Sequence, residues 1–117
     1  MIKIKLPIKL VSEANNYDHW RSKHKRKKKN ENLLLLYWPR DHVHLPCKVI
    51  LTRVAPRKFD YDNLVHACKY LYDKICDKLR PGLAPGQADN TDLISVEYRQ
   101  VKGGVKEYAV IIEVIQV

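Results

Sequence analysis

The sequence predicts a small α/β domain in which two helices pack on a mixed sheet of about four strands. The length of 117 residues fits a single domain, 1–117, and leaves no room for two. Hydrophobic residues make up 45% of the chain and charged residues 30%, which is typical of a globular protein. Segments with the two-residue period of a strand alternate with segments of helical period, in the order strand, helix, strand, helix, strand, strand.

The first half of the chain is predicted to contain a strand and a basic helix. Apolar residues recur at every second position near the N-terminus, at Ile2, Ile4, Leu6 and Ile8. Lysines and Pro7 lie between them, a pattern typical of a half-buried strand at a sheet edge or of a strand end. A polar loop at 11–18 precedes a segment from His19 to about Leu36 that lacks Gly and Pro. This segment predicts a helix, which ends before Pro39.

The second half is predicted to form a strand, an amphipathic helix and a C-terminal β-hairpin. Residues 43–54 carry apolar side chains on both faces of an extended chain, with Arg53 near the exposed end. Apolar residues spaced by three or four predict a helix at Asn63–Leu79, and the Pro/Gly-rich residues 80–90 predict a loop. Two alternating segments follow, Asp92–Lys102 and Val105–Val117. Gly103–Gly104 between them is a two-residue hairpin signal.

Composition also excludes several classes of protein. No apolar run approaches the roughly 18 residues of a transmembrane helix. The N-terminal segment lacks the apolar region and cleavage site of a signal peptide, so we expect no membrane partner. The three cysteines are Cys47, Cys68 and Cys76. Their odd number and the absence of CxxC spacing indicate free thiols in a reducing cytoplasm rather than disulfides or a zinc site.

The positive charge is concentrated in one segment. Lys and Arg number 22 against 13 Asp and Glu, for a net charge of +9, which indicates a polyanionic partner, usually nucleic acid or an anionic membrane. Seven of these cations lie close together, at Arg21, Lys23, Lys25, Arg26, Lys27, Lys28 and Lys29. The segment could be a solvated helix face, a disordered tail or a surface that contacts phosphates. Trp20 and Tyr17 before it could stack on exposed bases or anchor the core.

The most informative polar residues are two aspartates, Asp60 and Asp62, in the sequence RKFDYDNL. In an extended chain, residues two apart project to the same side. Two such carboxylates can hold one Mg²⁺ whose other ligands are water and phosphate oxygens. Asp92 at the beginning of the next strand is a candidate third ligand, with Asp89 as an alternative. Ordinary N-capping of the following helix would also explain the first two aspartates.

A longer pattern surrounds these aspartates. It comprises KFDYDNL at 58–64, a helix, Asp92 six residues before Tyr98-Arg99, and Gly103-Gly104 before a closing strand. This pattern resembles the RusA family of Holliday junction resolvases, small endonucleases that are mostly encoded by phages and prophages. The resemblance is clearest over residues 55–117 and extends more loosely to the N-terminal strand.

The resemblance implies a homodimer that binds four-way DNA junctions in the bacterial cytoplasm. It also implies symmetric cleavage with Mg²⁺ or Mn²⁺ and no small-molecule cofactor. The family's metal ligands map onto Asp60, Asp62 and Asp92, and the motif asparagine maps onto Asn63. Beside the basic segment, the residues expected to contact DNA are Arg57, Lys58 and Asn63.

One departure from the family motif concerns the catalytic cation. The family usually has a lysine one helical turn after the second aspartate, where this chain has His66. Lys69, one turn further along the helix, or Lys58 could take its place. A lysine or a protonated His66 would stabilise the negative charge that develops on the phosphate. The expected catalytic residues are therefore His66 and Lys69 together with the three metal ligands.

Other features allow more than one interpretation. His42 and His44 could bind a metal or lie exposed at a strand end. The apolar run Leu33–Leu36 with Tyr37 and Trp38 could form a dimer surface or pack in the core. For the whole chain, the alternative from another class is a non-catalytic nucleic-acid-binding module whose carboxylates are caps and salt-bridge partners. A third hypothesis is an RNA-binding protein.

Overall fold

Six elements follow the predicted order in the computed structural model, which describes residues 1–11, 20–41, 43–82, 88 and 91–117. The strands are β1 (Ile2–Leu6), β2 (Cys47–Ala55), β3 (Ile94–Lys102) and β4 (Ala109–Gln116), and the helices are α1 (Trp20–Tyr37) and α2 (Tyr61–Leu79). The predicted fold class is confirmed, because these elements form a small α/β domain with a four-stranded mixed sheet and two helices.

The sheet has the strand order β1-β4-β2-β3. β2 pairs in parallel with β3 and antiparallel with β4, and β1 pairs antiparallel with β4. The chain reverses after β3 as expected, but β3 and β4 do not pair as the arms of a hairpin, because β2 lies between them. Side chains on both faces of β2 are buried, and a central position with a ladder on each side suits such a strand.

Gly103 carries the chain across the end of β2. Its N–H donates to the carbonyl of Ala55 at 2.8 Å. A Cβ at this position would lie 3.1 Å from Cγ1 of Val54 and 2.8 Å from Oε1 of Glu107, so a side chain here would crowd Val54 and displace the Glu107 carboxylate. The same Oε1 accepts the N–H of Gly104 at 2.7 Å and closes the turn. The Gly-Gly pair therefore marks the reversal correctly, but it carries no information about a third strand between the two arms.

The core lies between α2 and one face of the sheet. The predicted apolar stripe of α2 faces the core: Leu64, Cys68, Leu71 and Ile75 are at most 1% exposed, whereas Leu79 at the helix end is only partly buried. It packs against the inward residues of β2 and β4, which include Val49, Leu51, Val110, Ile112 and Val114. β1 shows the predicted alternation, with buried Ile2 and Leu6 and exposed lysines between them.

α1 contacts this core through few residues. Asn30 and Leu34 are its buried residues, and Asn30 Nδ2 donates to the hydroxyl of Tyr70 on α2 at 2.8 Å. Leu36 is 77% exposed, so the apolar run at the end of α1 is divided between core and surface. Among the described residues, neither helix is long and apolar enough to cross a membrane.

The three cysteines, Cys47, Cys68 and Cys76, are buried, and none of them forms a disulfide. Burial raises the pKa of Cys68 from its ordinary 9.0 to about 12 and also raises the pKa of Cys47. Because the thiolate is the reactive form, we expect the folded chain at about pH 8 to resist a thiol reagent. Unfolding in guanidinium should release three reactive thiols, as measured by absorbance with Ellman's reagent. Fast labelling of the folded chain would contradict the buried placement.

The same pKa shift predicts a loss of stability in alkali. The folded chain holds the Cys68 proton more tightly than the unfolded chain, so this contribution is complete below about pH 9 and is lost as the pH rises toward 12. Urea midpoints measured across that interval should fall, and a Cys68→Ala variant should show a smaller fall.

Candidate metal and nucleic-acid site

The N-terminus of α2 presents the two aspartates that the sequence singled out. Asp60 occupies the N-cap position with φ −61° and ψ 153°, and its carbonyl accepts the N–H of Leu64 at 2.9 Å. Its side chain, however, makes no cap hydrogen bond to the described backbone of α2. The capping interpretation therefore fits the backbone of Asp60 but not its carboxylate, which is exposed.

Asp62 begins a polar face along α2. It lies in the first helical turn, where a negative charge interacts favourably with the helix dipole. Residues four and three apart share one face of a helix, and Asp62, His66 and Lys69 accordingly line one open groove of about 500 Å³ with Tyr61 and Val65. The structure thus brings together the second aspartate and both predicted catalytic cations.

Lys69 is already engaged within this face. Its Nζ lies 2.6 Å from Oδ1 of Asp73, one turn further along α2, and 5.7 Å from the ring centroid of Tyr72. The imidazole of His66 lies nearer to Asp62 along the helix, one turn away, and is exposed. Of the two predicted cations, His66 is therefore the better placed to act beside Asp62.

The exposed ring of Tyr61, between the two aspartates, packs against Tyr98, which in turn packs against Tyr72. Tyr61 is 61% exposed, and its ring meets Tyr98 of β3 edge to face at a centroid distance of 6.5 Å. Tyr72 also meets Tyr98 edge to face, at the same centroid distance. Burial, with a further contribution from Cys68, raises the pKa of Tyr98 to about 12. Tyr98 therefore stays protonated at neutral pH and acts as a packing platform rather than as a base.

The loop before Asp60 is held by two residues that sequence reasoning missed. Gln100 Oε1 accepts the N–H of Phe59 at 2.7 Å, and Gln100 Nε2 donates to the Phe59 carbonyl at 2.8 Å. Arg53 Nη1 donates to the Arg57 carbonyl at 2.7 Å, and its guanidinium lies 3.5 Å from the Phe59 ring centroid. Arg53 is 5% exposed, so its expected place near an exposed strand end was wrong.

The signal for a buried arginine was present in the strand pattern. Val49, Leu51 and Arg53 alternate along β2 and therefore point to one face of the sheet. The first two side chains are completely buried on that face. An arginine that continues an inward-facing apolar series predicts a buried charge with a structural purpose, rather than a solvated strand end.

Asp92 lies far from the other two aspartates within one protomer. β3 runs parallel to β2 with Ile94 opposite Cys47, so Asp92 lies beside the beginning of β2, whereas Asp60 follows its end. The nine residues of β2 separate these places by about 26 Å. β3 therefore begins beside the beginning of β2 and not beside the beginning of α2. In a β–α–β crossover the helix runs back along the sheet, and the next strand begins beside the helix end.

The three carboxylates consequently form no single cluster in the protomer. Among the described residues, no group of three or more His, Cys, Asp or Glu side chains is arranged to hold a metal ion. Asp60 and Asp62 remain as a pair of exposed carboxylates close in sequence, which suits Mg²⁺, since that ion commonly takes one or two protein carboxylates. The alternative ligand Asp89 lies outside the described residues.

The basic segment lies in the first half of α1. The cations most open to solvent are Arg21, Lys25, Lys28 and Lys29, whereas Lys23, Arg26 and Lys27 are partly buried. Three of the exposed lysines line a shallow groove of about 430 Å³, at Lys25, Lys28 and Lys29. The Nζ of Lys27 lies 5.7 Å from the Tyr70 ring centroid on α2. The cationic helix and the helix that carries the aspartates are therefore packed together.

The remaining predicted DNA contacts lie beside the aspartate pair. Arg57 and Lys58 are exposed on the loop before Asp60, and Asn63 is partly buried in the first turn of α2. Trp20 is 66% exposed at the beginning of α1, so it does not anchor the core. Tyr17 lies outside the described residues. An exposed indole beside a row of cations is suited to stacking on a base.

Only one of the two histidines before β2 lies in the described part of the chain. His44 is exposed, as the strand-end interpretation expects, and His42 lies outside the described residues. The nearby Cys47 thiol is buried at the start of β2.

Comparison with known proteins adds nothing to this geometry. No protein-family model, curated protein or solved structure matches the chain. Interpretation of the site therefore depends on the sequence motif and on the contacts described above.

Proposed function

We propose that the chain is a Mg²⁺-dependent, structure-selective endodeoxyribonuclease that cuts four-way junctions or related branched DNA as a homodimer. One observation carries the proposal. Asp60 has the backbone conformation of an N-cap, yet its carboxylate makes no cap hydrogen bond to the described backbone of α2 and stays exposed beside Asp62. An Asp60 carboxylate without a cap bond, next in the motif to the exposed carboxylate of Asp62, supports a role in holding a cation, as does the resemblance of the motif to the RusA family.

The proposed hydrolysis needs a bound metal ion and positively charged side chains around the phosphate. A bound Mg²⁺ would neutralise charge on the phosphate and lower the pKa of a bound water. Asp60 and Asp62 would hold the ion, and a protonated His66, one turn beyond Asp62, would stabilise the charge that develops on the phosphate. Arg57 and Lys58 on the preceding loop would hold the substrate backbone in place.

A homodimer would serve this chemistry in two ways. Two-fold symmetry would present one site to each of two strands of a junction that is itself nearly two-fold. A second subunit would also allow Asp92 to approach the metal ion of the partner subunit. Within one protomer, Asp92 and the Asp60–Asp62 pair lie at opposite ends of β2. In the proposal, Asp92 acts as a ligand only across subunits.

The alternative is a non-catalytic nucleic-acid-binding module. Its supporting observation is that the described residues of one protomer hold no cluster of three metal-ligating side chains. Mn²⁺ titration followed by electron paramagnetic resonance separates the two functions. A nuclease should bind Mn²⁺ with an affinity that an Asp60→Asn variant loses. An Asp77→Asn variant, at the other end of α2, should bind as the wild type does. Absence of Mn²⁺ binding would favour the module.

A further inference from the structure

Side chains of β2 and β3 hold the loop segment that directly precedes Asp60. Arg53 and Gln100 are direct partners in the parallel ladder of these strands and point to the same face. The amide of Gln100 bonds both the N–H and the carbonyl of Phe59, at 2.7 and 2.8 Å. A neighbouring β-strand would make the same two hydrogen bonds to Phe59, so the Gln100 side chain takes the place of a strand residue here.

Arg53 also holds this segment, although burial of its guanidinium contributes an unfavourable free energy to folding. It is 5% exposed, burial lowers its pKa, and its Nε has no hydrogen-bond partner in the described part of the chain. Burying a charge without a carboxylate partner is unfavourable, and an apolar side chain of similar size is often more stable. The Arg53 guanidinium contacts Arg57 and Phe59 of the loop before Asp60, and also Gln100, which bonds the same loop.

Both residues act immediately before Asp60. Phe59 is its neighbour, and Arg57 lies in the same loop, which leads from the end of β2 to α2. With this backbone fixed, Asp60 enters the helix without turning its carboxylate onto the first N–H groups of α2. A freely moving loop would let the carboxylate take up that capping bond, which is the ordinary preference of an N-cap aspartate.

We propose that Arg53 and Gln100 are positioning residues that keep the carboxylate of Asp60 off the helix cap and available to a divalent cation. The inference rests on the proposed function, because it assumes that Asp60 holds a metal ion. It goes further by assigning a purpose to the buried arginine. Substitutions in the shell behind metal ligands typically weaken metal affinity by about 10- to 100-fold, which sets the expected size of the effect.

Two variants test the proposal from different sides. Gln100→Ala removes both bonds to Phe59, and Arg53→Met removes the guanidinium while keeping much of its apolar bulk. Gln116→Ala, at the exposed end of β4, is the matched glutamine control. For each protein, Mn²⁺ affinity is measured by calorimetry and the folded fraction by urea titration. We expect both variants to bind Mn²⁺ at least about tenfold more weakly than wild type, with Arg53→Met no less stable than wild type.

The outcomes separate this inference from the proposed function. Wild-type affinity in folded Gln100→Ala and Arg53→Met would overturn the inference and leave the metal site in place. A loss of affinity that vanishes after correction for the unfolded fraction would also overturn it, because the two residues would then be structural only. Failure of the wild type to bind Mn²⁺ would overturn both proposals. A tenfold loss in stably folded Arg53→Met supports positioning even if Gln100→Ala does not fold.

Discussion

Replacing Asp62 by Asn is expected to abolish cleavage of a four-way junction while junction binding persists. The variant loses one of the two carboxylates proposed to hold the cation, and metal-assisted hydrolysis depends on that ion for charge neutralisation and for an activated water. A rate loss of at least about a hundredfold is expected in a gel assay with excess Mg²⁺. Binding should be equal or tighter, since the substitution removes a negative charge near the DNA.

A matched control makes this result specific. Asp77→Asn removes the same charge from the same helix, but near the other end of α2. Its cleavage rate should equal that of the wild type. Full cleavage by Asp62→Asn would contradict the proposed site, and equal losses in both variants would point to a general effect of charge or folding.

The second large effect is expected from the exposed lysines of α1. Changing Lys25, Lys28 and Lys29 to Gln should weaken junction binding steeply at moderate salt. If each lysine neutralises one phosphate, the slope of log affinity against log salt should become shallower by about 2.7, at roughly 0.9 per contact. The slope is measured by fluorescence anisotropy with a labelled junction over a series of salt concentrations.

The matched control for this triple variant removes three exposed lysines elsewhere, at Lys3, Lys5 and Lys78. Its salt slope should stay close to that of the wild type if binding is concentrated on α1. Equal slopes in the two triple variants would contradict a dedicated basic surface. Competition with single-stranded and duplex RNA in the same assay tests the RNA-binding hypothesis, which predicts that RNA displaces the junction.

The order and type of the elements could be predicted because local patterns determine them. The stripe of α2 and the alternation of β1 each record burial on one face, and both are found in the structure. Strand pairing could not be predicted in the same way. The turn at Gly103–Gly104 is a local feature, but insertion of β2 between β3 and β4 depends on which strand has most apolar surface to bury.

The candidate site was predictable to a similar degree. Asp60 and Asp62 could be identified from their spacing, and the helical register explains why Asp62, His66 and Lys69 share a groove. The place of Asp92 could not be read from the sequence, because it depends on the direction of the crossover through α2. Gln100 gave no local signal, since its bonds to Phe59 join residues 41 positions apart.

Cleavage of a synthetic four-way junction tests directly whether the chain is a Mg²⁺-dependent nuclease for branched DNA. The junction carries a different label on each of its arms and is incubated with the purified chain, with Mg²⁺ or with EDTA. We expect paired nicks on opposite strands that require Mg²⁺, with little cutting of a linear duplex of the same sequence. A chain that binds the junction tightly but leaves every strand intact with Mg²⁺ or Mn²⁺ would contradict this expectation.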